Sequence, residues 1–239
     1  MLFPSAKYTW PRQGLGQRFL WYNYNMSIRK VPFVLDEYYH LYNRGNDKRE
    51  IFHDHSDYIR FLGLLYLANS DINFRVNRIK DIYSTERGKR LVSIGTYCLM
   101  PNHFHILIKQ AGEGNVSRFM QKLLTAYSMY YNTKYERTGG LFEGKFKSEH
   151  LDNDRYLKYV FSYIHLNPVK LIEPKWKESG IKDKAGALAF LGQYAYSSYQ
   201  DFLKGGRREE VILDRADFPD YFPSKKEFRK EILDWINFK

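Results

Sequence analysis

The 239-residue chain is predicted to adopt an α+β fold, in which an antiparallel β-sheet carries helices on one of its faces. The order of the predicted elements is strand, helix, two strands, helix, strand, helix. Two of the strands are separated only by a Pro101-Asn102 turn, as in a β-hairpin. The apolar share of 44% is enough for a packed core, so we expect one folded domain with, at most, small additions.

The first predicted strand covers residues 37–43, which are rich in the residue types that favour strands. Residues 44–47 follow and have the composition of a turn. A helix then begins, with Asp54 or Ser56 as its N-cap. Its apolar side chains recur at helical spacing, at Tyr58, Phe61, Leu62, Leu65 and Tyr66.

The middle of the chain is predicted to form the hairpin and a long helix. Residues 91–99 and residues 103–109 are the two strands that the Pro101-Asn102 turn joins. Gly112 and Gly114 interrupt the pattern after the second strand. Residues 116–135 then show the helical spacing of apolar side chains.

A short strand and a helix complete the predicted order. The strand lies around residues 141–148, and the helix covers residues 152–167. Asp152 or Asn153 can cap the start of this helix. Pro168 limits its far end, because a proline disfavours helical conformation in the residue before it.

The composition along the chain divides it into three parts. Residues 1–30 are predicted to be an N-terminal arm without clear periodicity, and Met26 is a second possible start. Residues 31–203 contain the predicted elements and form the central domain. Residues 204–239 form a basic C-terminal extension that closes with a helix.

The charge balance points to a polyanionic partner, because 38 Lys and Arg residues against 27 Asp and Glu residues give a net charge of +11. A basic protein can equally be basic only for solubility, so charge alone does not decide. The 21 Tyr residues favour single-stranded nucleic acid, because their rings can stack on unpaired bases. Cys98 is the only cysteine, which excludes an intrachain disulfide and a Cys-rich zinc site and fits a cytoplasmic protein.

The clearest candidate for a metal site is the pair His103 and His105 in the second strand of the hairpin. Side chains alternate along a strand, so the two imidazoles point the same way and Phe104 points to the other face. Two histidines with this spacing are more often simply polar surface residues. His53 and His55 have the same spacing near a helix start, where side chains two residues apart diverge, so spacing alone is weak evidence.

A second candidate site lies on the last predicted helix. Tyr163 and Asn167 are four residues apart and share a helix face, which places a phenol beside a carboxamide. The alternative is a core stripe formed by Tyr156, Tyr159 and Tyr163. His165 points elsewhere, so we expect it to have a structural or DNA-contact role.

Four blocks between residues 38 and 199 resemble the HUH single-tyrosine transposases, and in particular the REP-associated tyrosine transposases. They are residues 39–45 (YHLYNRG), 100–105 (MPNHFH), 141–148 (LFEGKFKS) and 163–170 (YIHLNPVK). The order of the blocks also matches. The resemblance implies a ferredoxin-like sheet of the HUH endonuclease type, with two histidines on a central strand and a nucleophilic tyrosine on a nearby helix.

Carried onto this sequence, the resemblance implies that His103 and His105 bind the metal, that Asn167 is the third ligand and that Tyr163 is the nucleophile. Related insertion-sequence members commonly have Gln where Asn167 stands. The family implies Mg²⁺ or Mn²⁺ as the cofactor, whereas two imidazoles alone would equally suit zinc. Residues 194–199 also depart from the family, because a Trp often precedes the paired serines there.

Five basic residues are candidates for contacts with DNA phosphates, although any one of them could be a solvated surface charge. They are Arg44, Lys48, Arg49, Lys145 and Lys147.

The sequence therefore predicts a DNA nicking and joining transposase that acts on single-stranded DNA with hairpins, as a monomer or a homodimer, through a 5′-phosphotyrosine intermediate. Two alternatives stay open: a non-catalytic DNA-binding regulator with the same fold, and a histidine-bound metal hydrolase. The hydrolase offers no role for the positive charge.

Overall fold

An antiparallel sheet of four strands organises the part of the chain that the computed structural model describes, residues 32–237. The strands are β1 (Tyr38–Arg44), β2 (Val92–Met100), β3 (His103–Gln110) and β4 (Lys147–His150). The helices are α1 (His55–Ala68), α2 (Asn115–Lys134), α3 (Asp154–Leu166), α4 (Trp176–Ser179), α5 (Lys184–Gln193), α6 (Tyr199–Leu203) and α7 (Lys225–Asn237). The predicted N-terminal arm, residues 1–30, lies outside the described residues.

The strand order in the sheet is β2-β3-β1-β4, with all neighbours antiparallel. β2 and β3 form the predicted hairpin, and β1 then pairs with the other side of β3 along its whole length. In this register Tyr42 lies opposite His105 and Arg44 opposite His103. The predicted α+β fold with its antiparallel sheet is confirmed, and β3 with its two histidines is a central strand.

Helices cover both faces of the sheet, so the expectation of helices on one face was wrong. On one face, Phe104 packs against Phe61 of α1, with ring centroids 5.1 Å apart, and Phe61 against Tyr127 of α2. On the other face, Cys98 and Leu107 belong to a buried cluster with the apolar side chains of α3. The physical reason is visible in β2, where all nine residues are buried. Such a strand needs cover on both sides.

The helix starts follow from local capping. Asp54 caps α1, where its side chain accepts from the backbone N–H of Asp57 and the Asp57 side chain accepts in return. Asn153 caps α3 through the N–H of Tyr156. These two of the predicted alternatives are thus confirmed. The last strand begins later than predicted, at Lys147, because residues 141–146 form a turn with only an isolated bridge between Phe142 and Gly45.

The segment after α5 pairs with the outer edge of β2. The Leu99 N–H donates to the Tyr196 carbonyl at 2.9 Å, and the Ser198 N–H donates to the Tyr97 carbonyl at 3.0 Å. This segment, residues 194–199, is where the family often has a Trp before the paired serines and this sequence has Tyr196. Its role is therefore to close the sheet edge, which otherwise would expose unpaired backbone groups.

Residues beyond 203 pack against the same unit. The Asp214 N–H donates to the Ile94 carbonyl at 2.8 Å, and Phe218 occupies the space beside Gly95. A Cβ at Gly95 would lie 2.7 Å from the Phe218 ring, so this close approach requires a glycine. α7 buries Phe228 and Ile232. The division into a central domain, residues 31–203, and an extension, residues 204–239, stays a prediction. No helix within residues 32–237 is long and apolar enough to cross a membrane.

Candidate active site

His103 and His105 lie on the face of β3 that α3 covers. Their side chains share this face with Leu107, whereas Phe104 and Ile106 belong to the core on the other face. The two imidazole rings are edge to face, with centroids 5.1 Å apart. His105 is buried, with 7% of its surface exposed, and His103 is half-buried at the start of the strand. The alternation predicted from the H-x-H spacing therefore does bring the two rings together.

The hydrogen bonds of His103 determine its tautomer. Asn102 donates its Nδ2 to the carbonyl of Lys48 at 3.1 Å, which leaves its Oδ1 facing His103. That oxygen accepts from Nδ1 of His103 at 2.6 Å. Because an amide oxygen can only accept, Nδ1 carries the proton and Nε2 keeps its lone pair. This is the protonation state that a metal ligand requires.

His40, on β1, gives His105 the same kind of support. Its Nε2 lies 2.8 Å from Nδ1 of His105, and the two rings are stacked with centroids 5.0 Å apart. If Nδ1 of His105 donates, its Nε2 also faces outward with a lone pair. Sequence reasoning missed His40, although it lies within the matched block of residues 39–45. The sequence did contain a signal for it, since β1 was predicted as a strand, and a strand that pairs with β3 can bring its histidine beside His105.

The surroundings keep these imidazoles neutral. Burial lowers the pKa of His40 to about 3, and the positive charge of Lys177 acts in the same direction. Burial lowers the pKa of His103 to about 4, with further contributions from Lys170 and Lys177. It also lowers the pKa of His105 well below the ordinary value. The charges that act on His103 and His105 from Lys170 and Lys177 are positive, so they lower the pKa of both histidines further.

Tyr163 projects from α3 onto His105 and His40. Its ring centroid is 5.8 Å from that of His105 and 6.3 Å from that of His40, both in edge-to-face arrangement. The residue is 8% exposed. Tyr159, one turn earlier, stacks on Tyr163 but also packs against Trp235, so it has the character of a core residue. The predicted stripe of tyrosines exists, and Tyr163 is the member in ring contact with His40 and His105.

Lys177 reaches Tyr163 from the short helix α4. Its Nζ donates to the Tyr163 hydroxyl oxygen at 2.7 Å and lies 4.1 Å from the ring centroid. Burial raises the pKa of the Tyr163 hydroxyl, and the side chain of Asn167 and the charge of Lys170 oppose this rise. Sequence reasoning missed Lys177, because nothing in the sequence places residues 176–179 against α3.

Asn167 follows Tyr163 by one turn and is 2% exposed. Its Nδ2 donates to the main-chain carbonyl of Tyr163 at 3.2 Å, which leaves the amide oxygen as its possible ligand atom. Within residues 32–237, no three His, Cys, Asp or Glu side chains form a group that could hold a metal ion. The residues that could offer ligands to a divalent cation are His103 and His105, through their Nε2 atoms, with Asn167 as a candidate third ligand.

Comparison with known protein families identifies the family of the chain. The family of IS200-like transposases matches residues 34–167, which is more than half of the chain. The chain belongs to this family. The predicted membership of the single-tyrosine transposases is confirmed.

No curated protein sequence matches the chain. Among solved structures, a REP-associated tyrosine transposase bound to a REP hairpin is similar, with 13% sequence identity and a TM-score of 0.45. The alignment covers 81% of this chain and 96% of the other.

Three of the five basic residues predicted to contact DNA lie around Glu143. Arg44 forms an ion pair with the Glu143 carboxylate, with one contact at 2.9 Å. It lies directly opposite His103 on the neighbouring strand. The charges of Lys147 and Lys48 add to that of Arg44 in lowering the pKa of Glu143. This transposase therefore has a cluster of positive charge at the end of β1, next to the histidine pair.

The other two predicted DNA contacts are placed differently. Arg49 forms an ion pair with Asp47 at 3.1 Å and also donates to the Asn46 carbonyl. Lys145 is exposed in the turn before β4. The geometry brings Arg44, Lys48 and Lys147 together and leaves the DNA-binding role of all five as a prediction.

His165 has a structural role. It is fully buried, and its Nε2 lies 2.9 Å from the Thr96 hydroxyl and 3.0 Å from the Ser198 hydroxyl. Burial lowers its pKa to about 3, so it is neutral at physiological pH. It ties α3 to β2 and to the segment that closes the sheet edge. This agrees with its exclusion from the predicted catalytic set.

Proposed function

We propose that this IS200-like transposase cuts and rejoins single-stranded DNA through a covalent bond to Tyr163, with a divalent cation held by His103 and His105. The observation that supports this most directly is the edge-to-face contact of Tyr163 with His105, at 5.8 Å between ring centroids. A phosphodiester lying against the two histidines would thus be beside a hydroxyl nucleophile. The alternative of an ordinary core tyrosine would not require this arrangement.

The cutting step exchanges one phosphodiester for another. The Tyr163 oxygen attacks the phosphorus and loses its proton, and the bond to the 3′ oxygen breaks. That oxygen takes up a proton, so a free 3′-hydroxyl and a 5′-phosphotyrosine remain. Mg²⁺ or Mn²⁺, when bound at His103, His105 and Asn167, would supply charge stabilisation on the phosphate oxygens. The chain's own part is to orient Tyr163 and to hold both imidazoles through partners at their Nδ1 atoms.

The covalent intermediate makes joining possible. A phosphotyrosine keeps the energy of the broken phosphodiester in a similar bond, so a second 3′-hydroxyl can displace Tyr163 without an external energy source. Attack by water would lose that bond. Strand transfer is therefore the outcome that this chemistry favours.

The proposed substrate is single-stranded DNA that carries hairpins. The net charge of +11 and the positive cluster of Arg44, Lys48 and Lys147 favour a polyanion. Exposed bases of a single strand offer faces on which tyrosine rings can stack. Whether one subunit or two form the working enzyme stays a prediction, which light scattering of the purified protein would test.

The proposal is tested by looking for the covalent intermediate. Purified protein is incubated with end-labelled single-stranded hairpin DNAs, including any inverted repeats found beside its gene, with and without Mg²⁺ or Mn²⁺. We expect a covalent protein–DNA adduct that needs the metal and that disappears in Tyr163→Phe. The removed hydroxyl is the only atom that differs, so folding and packing are preserved.

Tyr159→Phe is the matched control, because it removes the hydroxyl of the neighbouring tyrosine one helical turn away. It is expected to form the adduct as the wild type does. Tight binding of the DNA without any adduct, at every metal tested, would contradict the proposal and favour the non-catalytic DNA-binding regulator.

A further inference from the structure

We propose that Lys177 is a catalytic residue of this transposase, whose ammonium group stabilises negative charge on the Tyr163 oxygen during both attack and departure. This inference rests on the proposed function. Lys177 touches the reacting atom directly, since its Nζ is 2.7 Å from the Tyr163 hydroxyl oxygen. That distance is typical of a charge-assisted hydrogen bond.

The fold holds Lys177 in this position through its neighbour Trp176. Trp176 is buried in a cluster that contains Leu166 at the end of α3 and Val169 just beyond it. The Glu173 N–H donates to the Val169 carbonyl at 2.8 Å, and the Trp176 N–H donates to the Glu173 carbonyl at 3.1 Å. The chain thus folds back on α3 within one short connection. Lys177 comes next and reaches the face of Tyr163.

The electrostatic surroundings suit a group that acts on an anion. The charge of Lys177 lowers the pKa of His40, His103 and His105. Desolvation of the ammonium group lowers the pKa of Lys177 to about 8, and the charge of Glu178 opposes this decrease. The residue as a whole is exposed. A phosphate group in the site, or a phenolate on Tyr163, would favour the charged form of Lys177.

The proposed role applies to both directions of the reaction. In cutting, the Tyr163 oxygen becomes an anion as it loses its proton, and it forms the bond to phosphorus while the 3′ oxygen leaves. In joining, the bond between phosphorus and the Tyr163 oxygen breaks, and the electron pair returns to that oxygen. Lys177 can donate a hydrogen bond to it in each case. Both rates should therefore fall together when Lys177 is replaced.

The test compares Lys177→Met, Lys177→Arg and the control Lys175→Met. Methionine keeps an unbranched apolar side chain but removes the charge, and Lys175→Met removes the same charge from an exposed neighbour. Single-turnover adduct formation is measured at saturating hairpin DNA and Mn²⁺, and rejoining is measured from the isolated adduct. We expect Lys177→Met to slow both steps by about 100-fold or more. Lys177→Arg should recover part of the rate, and Lys175→Met should react as the wild type does.

A second measurement separates stabilisation of charge from positioning of the ring. Tyr163 is replaced by a fluorinated tyrosine, whose hydroxyl is more acidic and whose anion needs less help. The loss caused by Lys177→Met should become smaller in this background. A loss that is unchanged by fluorination, or one confined to DNA affinity, would overturn the inference. So would a Lys177→Met protein that reacts at the wild-type rate, whereas failure of the wild type itself to form an adduct would contradict the proposed function instead.

Discussion

At the scale of single residues, His40 has the clearest effect on the candidate metal site, because it engages the Nδ1 atom of His105. Histidine ligands in metal sites commonly donate their second ring nitrogen to a partner that fixes the ring's orientation. His40 is 4% exposed and lies 2.8 Å from that nitrogen. We therefore propose that His40 orients His105 as a metal ligand.

We expect His40→Phe to weaken Mn²⁺ binding about 10- to 100-fold, because His105 would lose the partner that orients it. The measurement is titration of Mn²⁺ followed by electron paramagnetic resonance, without DNA. The phenyl ring fills much of the space of the imidazole, so the core is preserved.

His55→Phe is the control for this experiment. His55 is exposed at the start of α1 and contacts the Tyr196 hydroxyl at 3.0 Å, away from the histidine pair. Its replacement is expected to leave Mn²⁺ affinity unchanged. Equal affinity in His40→Phe and the wild type would show that His105 needs no support from β1.

At the scale of elements, a buried carboxylate joins the start of α1 to the end of α2. The Asp57 side chain is 0% exposed and accepts from Lys134 at 2.7 Å, and also from the hydroxyls of Tyr130 and Tyr135. Burial by itself would raise the pKa of Asp57, but the hydrogen bonds from Lys134 and Tyr135 outweigh it and hold the pKa below 3.8. The charged form therefore stabilises the pairing of the two helices.

We expect Asp57→Asn to lower the free energy of unfolding by about 2 kcal/mol at pH 7, because it removes the charge from the hydrogen bonds that Asp57 accepts. The loss is limited because Lys134 keeps its ion pair with Asp54 at 2.7 Å. The measurement is urea unfolding of the wild type and the variant.

The pH dependence follows from the direction of the shift. A carboxyl whose pKa is lower in the folded state contributes stability above the ordinary value of 3.8 and loses it as the pH falls through the folded value. The difference between wild type and Asp57→Asn should hold from pH 7 to about pH 5 and shrink below about pH 4. Glu113→Gln, which removes an exposed carboxylate, should show little difference at any of these pH values. A gap for Asp57→Asn that grows in acid would contradict the assignment.

At the scale of the whole molecule, the arrangement of positive charge determines how DNA binding should respond to salt. β4 lies at one edge of the sheet and β2 at the other. The predicted DNA contacts Lys145 and Lys147 lie in or just before β4, near the positive cluster at the end of β1. Lys80 is exposed in the connection between α1 and β2, in a different part of the chain from this cluster.

We expect Lys147→Gln and Lys145→Gln each to reduce the slope of log affinity against log salt by about 0.7, which is the contribution of one phosphate contact with a single strand. Fluorescence anisotropy with a labelled hairpin at several salt concentrations measures this slope. Lys80→Gln removes the same charge and should change the slope by much less. Equal effects of all three variants would indicate that only net charge matters.

The sequence by itself determined the local features of this protein. Alternation along β3 places His103 and His105 on one face of the sheet. Helical geometry places Asn167 one turn after Tyr163 on the same side of the helix. The Asp54 and Asn153 caps and the Pro101-Asn102 hairpin were likewise predicted, because each depends on residues within a few positions of one another. The family followed from the order of four such local blocks.

Only the tertiary structure decided which distant residues complete the site. His40 is 65 positions from His105, and they meet because β1 pairs with β3 in one particular register. Lys177 meets Tyr163 because Trp176 is buried against the end of α3, which no periodicity in the sequence encodes. The packing of α3 on the second face of the sheet likewise could not be predicted from residue spacing. Contacts of this kind depend on how whole elements pack, so local residue spacing carries no record of them.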